Sequence, residues 1–171
     1  MAIIASKDGS PSERLANAYL RLSKSANSLN AASDALGKAI AASDEQLRSL
    51  NLGVPAWIIV AQDSHDDSET YWQKWLGYDK VDGKWGIALR DEAGHWDNPG
   101  AIRYQTWPFN DAPRHFRLEA LPKLPELFEE LVKQVDETTA KIEAATSEAQ
   151  QLADTLKQIA PQAQPKKQGA R

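Results

Sequence analysis

Apolar positions recur at helical spacing near both ends of the chain and alternate with polar ones in its centre. Leu15, Leu22, Leu29 and Leu36 follow every seven residues, and Tyr19, Ala26, Ile40 and Leu47 fill the adjoining row. That period predicts one long helix over residues 11–50. Ala18, Ala32 and Ala39 beside the leucines would let a partner helix approach closely. Ser10-Pro11-Ser12-Glu13 supplies the start: a hydroxyl for unpaired N–H groups, a proline in the first turn and an acid at the positive dipole end. Asn51-Leu52-Gly53 and Pro55 end the helix.

The second stripe is longer. Leu124, Phe128, Leu131, Val135, Thr138, Ile142, Ala145, Ala149, Leu152, Leu156 and Ile159 keep 4-3-4-3 spacing, the pattern of a coiled-coil seam. Pro125 and Glu126 mark its first turn, and Pro161 stops it. At ~1.5 Å per residue, each helix would reach on the order of 55 Å.

The centre has strand periodicity. Ala56–Gln62 reads as a buried strand. Asp82-Gly83 lies between two aromatic and β-branched runs, and such a pair makes the two-residue hairpin turn that needs positive φ twice. With Val81 opposite Lys84, Tyr78 faces Ile87 and Leu76 faces Leu89, so Leu76, Tyr78, Trp85, Ile87 and Leu89 form one apolar face. The other face sets Trp75 opposite Arg90, an expected cation–π pair. A further strand is predicted around Ile102–Trp107, then a short helix over Arg114–Leu121 capped by Asp111, with a kink at Pro122 and Pro125.

Together these elements predict an α+β fold: two long antiparallel helices, a coiled-coil hairpin, flanking an inserted small antiparallel Trp-rich β-sheet. The segments are a helix at 11–50, the sheet at 54–110, the short and long helices at 112–160 and a disordered tail at 161–171. Two helices alone leave apolar edges in water, so a homodimer forming a four-helix bundle is expected.

Composition sharpens this picture. All six Trp of the 171-residue chain lie between 57 and 107. The sheet's apolar face accounts for Trp85 and Trp57, leaving Trp72, Trp75, Trp96 and Trp107 as a candidate recognition surface together with Arg90. The net charge of −4 sits in the Trp-rich middle, which disfavours nucleic-acid partners. There is no Cys, which excludes disulfides, thiolate metal sites and a Cys nucleophile. No phosphate-binding loop or nucleophile elbow is present. His65, Asp66 and Asp67 could hold a cation, but an acidic solvated loop accounts for them, and no metal or cofactor is expected. The longest apolar run beyond the first residues, Val54–Ala61, is far short of the roughly 20 residues that cross a bilayer. A cytoplasmic protein without a membrane span is expected.

The function expected is therefore a non-enzymatic interaction or scaffold module. Its helical hairpin would dimerise, and its Trp-rich sheet would meet an unidentified protein partner. The alternative is a small-molecule sensor or unusual enzyme, with a pocket between sheet and helices lined by Tyr78, Arg103, His115 and Arg117.

Overall fold

The computed structural model describes residues 10–63 and 70–159. Ser10 opens the first element with a reciprocal cap: its Oγ accepts the Glu13 N–H at 3.3 Å, and the Glu13 carboxylate accepts the Ser10 N–H at 2.8 Å. Helix α1 then runs over Pro11–Ser49. Asn51 and Gly53 take positive φ and turn the chain out of it.

Four strands follow, β1 (Ala56–Asp63), β2 (Thr70–Val81), β3 (Lys84–His95) and β4 (Asn98–Pro108). They form one antiparallel sheet in the order β1-β2-β3-β4. The β2–β3 turn is the one its sequence predicts, with Asp82 at φ 50 and Gly83 at φ 81. Its register pairs Val81 with Lys84, Tyr78 with Ile87 and Leu76 with Leu89.

The β3–β4 turn is a surprise. β3 continues past Arg90 to His95, and β4 starts at Asn98, four residues before the expected strand. Trp96-Asp97 makes the turn without positive φ at either residue. A register shift between Ala93 and His95 accompanies it, as expected where a non-primed turn must fit twisted strands.

After β4, a 3-10 turn at Phe109–Asp111 leads to α2 (Arg114–Ala120), and a second at Leu121–Lys123 leads to α3 (Leu124–Ile159). Asp111 is not the cap of α2; it ends the first of these turns, and Pro113 occupies the cap position.

The core lies between the sheet and the helix ends. Leu76, Tyr78, Ile87 and Leu89 are at most 1% exposed, and Phe109, Phe116, Ala120, Leu127 and Leu131 close over them. The C-terminal end of α1 contributes Ile40 and Leu47. A side chain fastens this junction: Asp44 Oδ1 accepts the Ile87 N–H at 2.6 Å, where β3 runs beyond its pairing with β4.

Both long helices are present, but they do not bury their seams in each other. α1 seats on β3, and α3 seats on β1 and β2. No residue of α1 before Ile40 is buried, and none of α3 after Leu131. Phe128, expected in the seam, is 41% exposed, whereas Leu127 beside it is fully buried. The sheet meets α3 at Leu127 and Leu131: Leu131 belongs to the coiled-coil row, but Leu127 takes the buried place expected of Phe128. The tail at 161–171 lies outside the described residues.

Candidate functional site

Glycine shapes the sheet face that the helices do not cover. A Cβ on Gly77 would stand 2.3 Å from the Trp57 ring. Because Gly77 has none, Trp57 lies across β2 and reaches Asp79 and Arg90. Its indole N–H donates to Asp79 Oδ2 at 3.1 Å. The Arg90 guanidinium sits 4.0 Å from the Trp57 ring centroid and 5.6 Å from that of Tyr104. Arg90 also donates through Nε to Thr106 Oγ1 at 3.1 Å and stands 3.9 Å from the Asp79 carboxylate. One cation thus links residues of all four strands. Fixed from two sides, its planar fork is held ready for stacking.

The expected pairing of Trp75 with Arg90 is corrected here. The two residues are opposite in register, yet the cation stacks on Trp57, because the gap at Gly77 admits that ring. Trp57 therefore belongs to the open face and not to the helix-facing core. Trp75 is half-buried, and its indole N–H is shielded with no partner among the described residues.

Towards the β3–β4 turn the same face carries a second aromatic pair. Tyr71 lies over Gly94, where a Cβ would stand 2.7 Å away. Its hydroxyl donates to Glu92 at 3.1 Å, and its ring tilts against Trp96 with centroids 4.5 Å apart. Desolvation first, then the Glu92 carboxylate, pushes Tyr71 ionisation upward. Trp96, Tyr104 and Ile102 are 54%, 68% and 41% exposed.

Trp107, expected at the surface, is half-buried beneath the helices, edge-on to Phe116 at 6.4 Å. Trp85 flanks the core and stacks on Tyr78 at 5.5 Å. Trp72 lies on the helix-facing side beyond the helices. Beside it, Lys74 pairs with Glu119 of α2 at 2.6 Å. Register places Asp63, Trp72, Ala93 and Arg103 in one row across the four strands. Small Ala93 forms the floor of an open groove of about 710 Å³ between Trp72 and Arg103.

The four residues expected in a sheet–helix pocket are not brought together. Tyr78 is buried in the core, where desolvation and then the nearby Asp44 charge push its ionisation upward. Arg117 donates to Ser33 Oγ of α1 at 3.1 Å. His115 faces solvent, and Arg103 lines the groove at the far end of the sheet. His65, Asp66 and Asp67 lie outside the described residues. Among the described residues no cluster of three His, Asp or Glu side chains could hold a metal ion, and no helix is long and apolar enough to cross a membrane.

Sequence reasoning missed Asp44, Asp79, Thr106 and the Trp57–Arg90 stack. A signal existed for two of them: glycines inside strands mark close approaches, and Gly77 and Gly86 receive Trp57 and Asp44. What the open face offers chemically is binding, through aromatic faces, an oriented guanidinium and hydroxyls. Comparison with protein-family models, with curated proteins and with solved structures gives no match.

Proposed function

We propose that this protein is a non-enzymatic interaction module, a scaffold or adaptor that dimerises through its helices and offers the open face of its sheet to a protein partner. The observation that carries the reading is the fate of the two seams. The apolar face of α1 is buried at Ile40 and Leu47, then continues into solvent with Leu29, Leu22 and Leu15 at 51%, 66% and 72% exposure. That of α3 leaves the core after Leu131 and continues through Ile142, Leu152, Leu156 and Ile159, each 55–67% exposed. Apolar rows of this length mark an interaction surface. The sheet face adds exposed Tyr104 beside oriented Arg90, and exposed Trp96 at the β3–β4 turn, residue types that dominate binding hot spots.

Sedimentation equilibrium tests the first half: a dimer at micromolar concentration is expected, and a monomer throughout would overturn it. For the second half, Trp96→Ala and Tyr104→Ala are expected to leave the melting temperature unchanged. Unfolding by either would make these residues structural.

A second reading, small-molecule sensing, is favoured by one observation, the groove over Ala93. Trp72 offers a ring to stack on and Arg103 a charge. Titration of aromatic carboxylates followed by NMR would shift the signals of both residues if this reading holds, and would leave them still otherwise.

A further inference from the structure

We infer that unlike arms meet in the dimer: the free arm of α1 in each copy packs against the free arm of α3 in the other. This rests on the dimeric reading above and names its contacts. Two independent features point to it.

The first is charge. The α1 arm, residues 11–33, holds Arg14, Arg21 and Lys24 against Glu13, a net +2. The α3 arm, residues 132–159, holds Asp136, Glu137, Glu143, Glu148 and Asp154 against Lys133, Lys141 and Lys157, a net −2. Of the residues that directly precede a seam position, Arg14 and Arg21 stand before Leu15 and Leu22 on α1, and Lys141 and Glu148 stand before Ile142 and Ala149 on α3; the complementarity therefore rests on the net charge of each arm. Pairing like arms would set positive beside positive and negative beside negative. Pairing unlike arms satisfies both, and charges beside a seam select its partner in this way.

The second is shape. The α1 arm alternates Leu15, Leu22 and Leu29 with Ala18, Ala26 and Ala32. The α3 arm concentrates small residues at Thr138, Ala145 and Ala149 and large ones at Ile142, Leu152, Leu156 and Ile159. Two α3 arms together would face Ala with Ala over the middle of the seam and leave it underfilled. Against α1, leucines meet the small stretch and alanines admit the large residues, as interdigitating helices require. Both surfaces also adjoin residues buried in the core, Ile40 and Leu47 on α1 and Leu131 on α3.

Paired charge reversal tests this directly. Arg14→Glu with Arg21→Glu turns the α1 arm from +2 to −2. Glu143→Lys with Glu148→Lys turns the α3 arm from −2 to +2. Each double variant alone should self-associate on the order of tenfold more weakly, since the two facing arms then carry net charge of the same sign. An equimolar mixture should regain wild-type association, because each reversed arm then meets its complement. The variants carry net charges of −8 and 0, so gross attraction between them does not imitate the effect. Melting temperatures near that of the wild type show that the fold is kept. Undiminished association of the α1 variant, as like-with-like pairing of α1 arms requires, would overturn the proposal. So would a mixture no tighter than its components, the result expected if each chain closes its own two helices. In both cases the wild type stays dimeric. A monomeric wild type removes the dimer itself.

Discussion

The two faces of the sheet are built from the same four strands and solve different problems. The helix-facing side is aliphatic at its centre, and Leu76, Ile87 and Leu89 vanish beneath α1, α2 and α3. The open side is aromatic and ionic. It is held by the stack of Arg90 on Trp57, and glycines make room for its rings. The first face is stabilised by removing surface from water, a force without direction. The second is stabilised by contacts that depend on angle and distance. The contrast teaches where this chain tolerates change: shape matters on one side, orientation on the other.

Substitutions can break that contrast or sharpen it. The largest effect is expected from Leu89→Ala, which opens a cavity in a fully buried site and should cost about 3 kcal/mol in urea unfolding. Gly77→Ala should come next, at roughly 2 kcal/mol, because the new methyl occupies the place of the Trp57 ring. The same exchange at Gly83 should also destabilise, through its positive φ alone and without displacing any ring. Arg90→Lys keeps the charge but loses the planar stack and fork, so about 1 kcal/mol is expected. Equal stability of the lysine variant would reduce the open face to simple charge pairing.

A smaller effect concerns pH. Desolvation holds the Asp44 pKa above its ordinary 3.8, outweighing the Ile87 N–H bond and Arg48. The folded state therefore keeps this proton more firmly than the unfolded chain does. Asp44 contributes stability that is full below pH 3.8 and is lost as pH rises through the folded-state value. Asp44→Asn should flatten that part of the stability profile while still accepting the Ile87 N–H. An unchanged slope would assign the dependence elsewhere. Smallest of all, Tyr104→Ala should stay within about 0.5 kcal/mol of the wild type. It removes an exposed ring from one edge of the arginine stack.

Local rules were legible in the chain, and crossings between elements were not. The Ser10–Glu13 cap, the Asp82-Gly83 turn and the pairing of Leu76 with Leu89 follow from residue type and spacing alone. The Trp96-Asp97 turn carries no glycine and leaves little trace in sequence. The fate of each tryptophan depended on strand order and on which glycine faced it. Trp57 and Trp107 therefore exchanged their expected places, since alternation within a strand does not say which neighbour has room for a ring. The long helices were evident from their seams, but a seam names no partner. The same helix face is buried at Ile40 and bare at Leu15.

The placement of the tryptophans has an optical consequence. Every indole lies in the sheet or, for Trp96, in its β3–β4 turn, and neither long helix contains one. Tryptophan emission thus reports the sheet alone, while far-ultraviolet circular dichroism is dominated by α1 and α3. The chain has two spectroscopic windows that hardly overlap, without any label. If the arms unravel before the sheet, the ellipticity transition will precede the emission transition. If dimerisation welds them into one cooperative unit, the two curves will superimpose.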